Sequence, residues 1–332
     1  MFDLSTTYLG FTLKHPLIAG ASPLTADFDM ARRLEDAGAA AIVLPSLFEE
    51  QIDADELGLA QHMDAHEEAN AEATSYFPLA DDFMIGPGRY LEHIRRLRES
   101  VSVPVIGSLN GTSAEGWLRY AKLMQEAGAS AIELNLYHIA TDPMETGSAV
   151  DQRLLDVVRA VRGSVSIPVA VKLSAFFSSL ANLAQRLDDA GADGIVVFNR
   201  FYQPDIDPES LTVLPQLHLS SSSELLLRLH WLAILSGRVK ASLAATGGVH
   251  TAIDAVKAVM TGAHAVQMVA ALLLHGPAHL TRVRDDLERW LIEHEYTSLA
   301  QARGSMCLLR SPDPEAFERG NYMKILQTWK AS

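Results

Sequence analysis

The stretch LMQEAGASAIELNL, residues 123 to 136, combines the end of a helix, a glycine and a short apolar run. The arrangement recurs as RLEDAGAAAIVLPS (33 to 46), RLDDAGADGIVVFN (186 to 199) and, more loosely, AVMTGAHAVQMVAA (258 to 271). Each glycine can adopt the left-handed conformation that ends a helix. Each apolar run is typical of a strand buried on both faces. The repeat therefore predicts helix–strand units in a parallel sheet.

Four further apolar runs lie between these copies, at residues 16 to 22, 103 to 110, 167 to 174 and 239 to 248. Eight strands alternating with eight helical segments favour a closed barrel over an open doubly wound sheet. The open sheet usually carries GxGxxG after its first strand, and the chain there reads AGASPLT. We predict an α/β fold, a single (β/α)8 TIM barrel.

We expect the barrel to span residues 1 to 305 and residues 306 to 332 to form a C-terminal tail packed on it. Helices are predicted to start at Thr25, Ser113 and Thr251, where a hydroxyl precedes the helical pattern. Two long connections, here called excursions, interrupt the alternation of strands and helices. An acidic loop between Ser46 and Tyr90, after the second strand, is typical of a lid, and residues 200 to 219, after the sixth strand, predict a small hairpin over the barrel mouth.

Composition limits the class of protein. The chain has 332 residues, of which 48% are hydrophobic, and a formal charge of −14 that argues against a nucleic-acid partner. No apolar run reaches the roughly 18 residues of a membrane helix, and the N-terminus lacks a signal-peptide pattern, so we expect a cytoplasmic protein without a membrane anchor. The lone Cys307 predicts a buried thiol. His62 and His66 in HMDAH lack the HExxH pattern, so no metal site is expected.

Barrel enzymes place their chemistry at the C-terminal ends of the strands. Lys172 stands out there, because an ammonium inside the apolar strand PVAVKLS has no acidic neighbour in that strand and is costly to bury unpaired. It is expected either to contact an anionic or electron-rich ligand or to pair with Glu133 on the neighbouring strand. A Lys172 Schiff base would instead make the chain a phosphate-binding aldolase or isomerase.

The segment ATGGVHTAIDAV, residues 245 to 256, is a strand, two glycines and a capped helix. Backbone N–H groups of Gly247 and Gly248 and the helix start at Thr251 then converge where a phosphate can bind. The alternative is a tight turn that merely needs glycine. Together with Lys172, the phosphate site predicts a phosphorylated cofactor lying across the barrel mouth.

The segments NLYHIA, VKLS, VFNR, ATGGV and GAHAVQMVAAL, in this order, resemble dihydroorotate dehydrogenase, the FMN-dependent barrel oxidoreductase of pyrimidine synthesis, especially its soluble class 1. The resemblance runs from about residue 5 to about residue 305. It implies that FMN is the cofactor and dihydroorotate or a related molecule the substrate, oxidised at a CH–CH bond. It also implies a homodimer. The residues implied to bind FMN are Ala21, Ser22, Ser46, Asn110, Lys172, Gly247, Gly248, Val269 and Ala270.

On the substrate side the resemblance implies Asn135 and Asn199, with Tyr137 at the same strand end. The family's NLSCPN-type motif has its catalytic cysteine replaced by His138 here. Imidazole accepts protons near neutral pH, so His138 is predicted to be the base, and the alternative is a histidine that only hydrogen-bonds a loop. Lys172 is the second predicted catalytic residue.

Other family positions also differ. The family's carboxylate-binding lysine is Pro45 here, and Arg200 is a candidate replacement because a guanidinium can hold a carboxylate bidentately. The Gly-Thr pair of the eighth strand is Val269 and Ala270, which leaves only backbone N–H groups there. Because these family residues are replaced, an alternative function remains, that of a flavin-binding electron-transfer or regulatory subunit with a decayed substrate site. A redox partner protein is compatible with either flavin hypothesis.

Overall fold

Eight parallel strands close into a barrel in the computed structural model, which describes residues 2–49, 87–111, 113–214, 217–318 and 321–328. The predicted (β/α)8 barrel is therefore confirmed. Around the barrel each strand pairs with the next, and the last pairs with the first. From first to last, the barrel strands are β3 (Leu17–Ala19), β4 (Ile42–Phe48), β5 (Val105–Asn110), β6 (Ala131–Leu136), β7 (Val169–Leu173), β8 (Gly194–Val197), β11 (Ser242–Thr246) and β12 (Ala265–Met268).

Helices connect the strands and bury their apolar faces against the outer surface of the barrel. Outward-facing strand residues such as Val171 and Leu173 are fully buried, because these helices cover them. The helices are α1 (Pro23–Ala26), α2 (Phe28–Asp36), α3 (Pro87–Ser100), α4 (Ala114–Glu126), α5 (Gly147–Ser164), α6 (Leu180–Asp189), α7 (Leu225–Leu235), α8 (Ala252–Met260), α9 (Ala270–His275), α10 (Ala278–Glu293), α11 (Leu299–Ala302) and α12 (Asn321–Leu326).

The predicted helix boundaries are largely confirmed. The four repeat glycines all have positive φ, between 94° and 120°, and Ser113 and Thr251 are N-caps. The predicted start at Thr25 is wrong. Ser22 is the N-cap of α1, and the Thr25 hydroxyl accepts its N–H, while the longer helix α2 starts after Asp27, whose carboxylate accepts the N–H of Met30.

An N-terminal hairpin fills the lower end of the barrel. Its strands β1 (Thr6–Tyr8) and β2 (Phe11–Leu13) are antiparallel, and Tyr8, Leu9 and Leu13 are almost fully buried. They pack against small inward-facing residues of the barrel strands, including Ala131 and Ala170. A Cβ on Gly194 would lie 2.5 Å from Leu9, so β8 needs glycine where the hairpin enters. This packing closes one end of the barrel and leaves the C-terminal end of the strands open for ligands.

The excursion after β8 contains the predicted hairpin, formed by β9 (Asp205–Asp207) and β10 (Thr212–Leu214). Residues 50–86 of the acidic lid loop, with His62 and His66, lie outside the described residues. Near the C-terminus, Cys307 is buried as predicted, and the N–H of Leu308 donates to the carbonyl of Ala233 in α7. The division into a barrel of residues 1 to 305 and a tail of residues 306 to 332 stays a prediction.

Two histidines, the buried His15 and the half-buried His264, secure strand starts at the lower end of the barrel. The Nδ1 of His15 accepts the N–H of Leu17 at 3.2 Å, and the Nδ1 of His264 accepts the N–H of Leu243 at 3.0 Å. Burial lowers the pKa of His15 to about 4, and burial with the nearby charge of Arg303 lowers the pKa of His264 to about 4. Both imidazoles are therefore neutral in the folded protein at neutral pH.

Acidification is expected to destabilise the fold through these two histidines. In the unfolded chain they take up protons below a pKa of about 6.5, whereas in the fold they do so only near 4, so stability falls as the pH drops through this window. Between about pH 7 and about pH 5 the loss is about 2 kcal/mol per histidine.

Urea unfolding at the two pH values measures this loss. His264→Asn keeps an acceptor for the N–H of Leu243 and is expected to reduce the loss, whereas His218→Asn, at an exposed position, leaves it unchanged. An equal loss in all three proteins would contradict the assignment.

Candidate functional site

Two adjoining cavities open at the C-terminal ends of the barrel strands. The first, here the mouth cavity, has a volume of about 310 Å³ and lies over β4 to β8. The second, here the turn cavity, has about 170 Å³ and lies beside the glycines that follow β11. Both cavities are lined by Ala21, Ser22, Pro23, Lys172, Asn199 and Tyr202. They therefore form one continuous space across the mouth of the barrel.

Lys172 lies at the junction of the two cavities and forms a buried ion pair. Its Nζ donates to Oε1 of Glu133 at 2.8 Å, and Nε2 of Gln267 donates to Oε2 of the same carboxylate at 2.5 Å. Glu133 is completely buried, and Lys172 is 6% exposed. The alternative expectation, pairing with Glu133, is observed, and the contact with an electron-rich ligand stays a prediction. Parallel pairing explains it, because Glu133 lies opposite Ala170 and both it and Lys172 face the barrel interior.

The ion pair with Glu133 does not use all the hydrogen-bond donors of the Lys172 ammonium. An ammonium has three N–H donors, and among the described residues only Glu133 accepts from Lys172. Because Lys172 lines both cavities, its remaining donors are available to a ligand there. Among the described residues that line the mouth cavity, only Lys172 carries a charge. The described lining of the mouth cavity thus presents one cation, held by a carboxylate beneath it.

A chain of polar side chains forms one wall of the mouth cavity. Asn199 Nδ2 donates to Asn135 Oδ1 at 2.8 Å, and Asn135 Nδ2 donates to Ser46 Oγ at 3.3 Å. The backbone N–H of Arg200 donates to Asn199 Oδ1 at 3.0 Å. These bonds fix the orientation of both amides, so each amide presents a defined N–H group to a ligand. Asn110, from β5, lines the same cavity.

The end of β4 owes its shape to a proline. Pro45 has no N–H, and the pairing of β4 with β5 shifts between Val43 and Ser46. The buried hydroxyl of Tyr90 donates to the carbonyl of Pro45 at 3.0 Å and accepts the N–H of Ser108. Beyond the shift, Ser46 Oγ lies 2.7 Å from Ser108 Oγ and lines the mouth cavity.

Some backbone N–H groups at the glycine turn after β11 already have hydrogen-bond acceptors, which the sequence did not indicate. Gly247 lines the turn cavity, but the N–H of Gly248 donates to Ser220 Oγ at 3.1 Å. At the start of α8, the N–H groups of His250 and Thr251 donate to Oδ2 of Asp254. The capping carboxylate therefore takes two N–H groups at this helix start, and phosphate binding by the remaining ones stays a prediction.

Sequence patterns did not predict one cation beside this turn, Arg228. Arg228 of α7 is 6% exposed, lines the turn cavity and donates through Nε to the carbonyl of Thr246 at 3.0 Å. Burial lowers its pKa below the usual arginine range. The available signal was an arginine inside the apolar helix LLLRLHWLAIL, since such a residue needs acceptors.

His138 lies apart from the two cavities. Its Nε2 is 3.3 Å from Oε2 of Glu145, and its side chain is 41% exposed. It lines a third cavity of about 320 Å³, the side cavity, whose walls include Phe176 and Phe201. Tyr137 lines both the side cavity and the mouth cavity. The role of His138 as a base stays a prediction, and the geometry does not bring it to Lys172.

Arg200 lines the turn cavity, but its guanidinium is already engaged. Its Nη1 lies 3.4 Å from a carboxylate oxygen of Glu224, with its side chain 26% exposed. The structure therefore brings most of the predicted residues to one space and leaves His138 and Gly248 out of it. The predicted residues that line it are Ala21, Ser22, Ser46, Asn110, Asn135, Tyr137, Lys172, Asn199, Arg200, Gly247, Val269 and Ala270.

Two further features are absent from the described residues. No group of three or more His, Cys, Asp or Glu side chains is arranged to hold a metal ion in this part of the chain. No helix within the same ranges has the length and apolar character needed to cross a membrane.

Comparison with known proteins identifies the family. A family model described as dihydroorotate dehydrogenase matches residues 84–291. A putative dihydroorotate dehydrogenase A (fumarate) from Aeropyrum pernix is 32% identical over 213 residues, which are 62% of this chain and 68% of that protein. The catalytic subunit of dihydroorotate dehydrogenase B (NAD(+)) from Thermoplasma acidophilum is 28% identical over 317 residues, 92% of this chain and 99% of that protein. This chain belongs to the dihydroorotate dehydrogenase family of oxidoreductases.

Proposed function

We propose that this protein is an FMN-dependent oxidoreductase that oxidises a CH–CH bond of dihydroorotate or a related small molecule. One observation carries the proposal: Lys172 and Gly247 line the same turn cavity, which is continuous with the amide-walled mouth cavity. A cation and a glycine turn at separate points of one space suit a ligand with an electron-rich ring and a phosphate.

The residues present fit such a cofactor. Ala21 and Ser22 line both cavities, and Ser46 and Asn110 offer polar groups on the mouth side. The lining is largely apolar with a few placed polar groups, which is typical of cofactor sites. When bound, FMN supplies the hydride acceptor for the oxidation. The protein holds the cofactor, stabilises charge on it and positions the substrate.

Lys172 is proposed as the catalytic cation. Its ammonium lines both cavities and is held by Glu133, so it is positioned before a ligand arrives. A preorganised cation in a water-poor site stabilises negative charge that develops beside it. Because Glu133 is completely buried, removing either partner would leave an uncompensated buried charge, which costs about 3–5 kcal/mol.

Asn135, Asn199 and Tyr137 are proposed to bind the substrate. All three line the mouth cavity, and the two amides are locked to each other. Amide groups match the alternating donors and acceptors of a cyclic amide or imide. Because the described lining of the mouth cavity has no cation besides Lys172, this cavity accommodates a neutral ring more readily than a carboxylate, which favours a relative of dihydroorotate as the substrate. Arg200 lines the turn cavity, where only its Nη1 contacts Glu224 among the described residues, so it stays a proposed carboxylate binder.

His138 remains the proposed base. Its partner Glu145 orients the imidazole, and Tyr137, the preceding residue, lines the mouth cavity. A proton acceptor that contacts the substrate must face that cavity. The proposal for His138 therefore requires residues 137 to 140 to turn toward the mouth cavity when the substrate binds.

A flavin-binding electron-transfer or regulatory subunit is the second candidate. The placement of His138 outside the two cavities favours it. The name of the Thermoplasma acidophilum relative, a catalytic subunit, supports a redox partner protein for either candidate. We also propose a cytoplasmic homodimer, with residues 1 to 305 as the catalytic barrel and residues 306 to 332 as its tail.

Purified protein is expected to be yellow and to release FMN on denaturation, because the cavities hold the cofactor noncovalently. Anaerobic addition of dihydroorotate then bleaches the oxidised flavin if dihydroorotate is the substrate. Bleaching only with uncharged dihydropyrimidines would favour a related substrate, and no bleaching with either would favour the electron-transfer subunit. A colourless protein that forms a borohydride-trapped adduct on Lys172 would instead identify an aldolase.

His138→Ala is expected to slow flavin reduction by the substrate at least about 100-fold, the usual size of a general-base contribution. Stopped-flow spectroscopy of the reductive half-reaction measures this rate. The matched control is His218→Asn, at an exposed position of the excursion after β8, which leaves the rate unchanged. A rate within about 2-fold of the wild type in His138→Ala would remove His138 from the mechanism.

A further inference from the structure

Arg228 is a buried cation at the glycine turn. It is 6% exposed, and its guanidinium is anchored from two sides. Nε donates to the carbonyl of Thr246 at 3.0 Å, and Nη1 donates to the backbone carbonyl of Glu224 at 2.8 Å. These two bonds hold the guanidinium in one orientation, because its donors lie in a rigid plane.

The third nitrogen of this guanidinium faces the glycine turn. A Cβ built on Gly247 would lie 3.0 Å from Arg228 Nη2, and both residues line the turn cavity. Nη2 has no hydrogen-bond partner among the residues that the structure describes. The nearby Glu224 carboxylate is bonded by Arg200. Arg228 thus brings a positive charge and free donors to this cavity.

Three backbone donors beside Arg228 already have partners within the fold. The N–H of Gly248 is taken by Ser220, and the N–H groups of His250 and Thr251 are taken by Asp254. The cavity wall supplied by α9 and its N-cap is Val269 and Ala270, which have no side-chain donor. Three cations line the turn cavity: Lys172 pairs with Glu133 and Arg200 with Glu224, whereas Arg228 contacts no carboxylate among the described residues. An anion there therefore gains most from Arg228, while Ser220, whose oxygen already accepts an N–H, retains its O–H for the same anion.

We propose that Arg228 binds the phosphate of the flavin nucleotide, as the residue that makes the site select a phosphorylated flavin. This inference rests on the proposed function. A guanidinium binds a phosphate through charge-assisted hydrogen bonds, which are stronger than those between neutral groups. A buried arginine without a carboxylate partner gains most from such a ligand, since the ligand supplies the missing negative charge.

The test compares FMN with riboflavin, which has the same ring and ribityl chain but no phosphate. Flavin-free protein is prepared by dialysis against concentrated bromide and titrated with each flavin, and the quenching of flavin fluorescence measures both dissociation constants. The wild type is expected to prefer FMN. Arg228→Met is expected to weaken FMN binding about 10- to 100-fold, while riboflavin binding stays within about 2-fold of the wild type.

Arg238→Met is the matched control, because Arg238 is exposed just after the same helix, and it is expected to change neither constant. Arg228→Lys serves as a second variant if Arg228→Met does not fold. It keeps the charge but loses the planar fork, so a smaller loss that is confined to FMN is expected. An unchanged FMN constant, or equal losses for FMN and riboflavin, would overturn the role of Arg228. A wild type that binds neither flavin would overturn the proposed function itself.

Discussion

The carboxylate of Glu133 organises the interior of this barrel. It is completely buried on β6 and is bonded by Lys172 of the adjacent strand β7 and by Gln267 of β12. In the closed order of strands, β12 lies across the barrel from β6, so the three side chains span the interior. A buried charge of this kind is tolerated only when its partners are fixed. The need to satisfy Glu133 therefore holds the Lys172 ammonium at the floor of the two cavities.

The residues below this network stabilise the barrel, and the residues above it form the candidate site. Below it, small residues and the hairpin of β1 and β2 form an apolar plug, and Tyr8 of that plug lies close enough that burial and the Glu133 charge raise its pKa. Above it, Ser46, Asn135 and Asn199 form a polar wall. Because the plug fills the lower end, ligands have access only where strand ends and loops supply polar groups. The N-terminal hairpin thus restricts ligands to the C-terminal end of the barrel, although it does not line the two cavities.

The sequence was sufficient for features set by local periodicity and by strand ends. Helix–glycine–strand repeats predicted the barrel, and residues at strand ends, such as Asn135 and Lys172, line the mouth as expected. Features set by pairing between distant segments were harder to predict. The Lys172–Glu133 pair depends on the register of β6 and β7, and the bond from Gly248 to Ser220 joins residues 28 positions apart. Arg228 was missed because helical periodicity identifies its face but not the carbonyls that it meets.

The two ends of the site differ in the positive charge that lines them. At the turn cavity, apolar Val269 and Ala270 follow β12, yet α7 brings Arg228 to the same space, so a positive charge is retained from another element. At the mouth cavity, Pro45 leaves β4 without a cation, and Arg200 is held by Glu224. A phosphate in the turn cavity therefore lies near more positive charge than a carboxylate in the mouth cavity does. This distribution of charge supports the proposed phosphorylated cofactor more strongly than a carboxylate substrate.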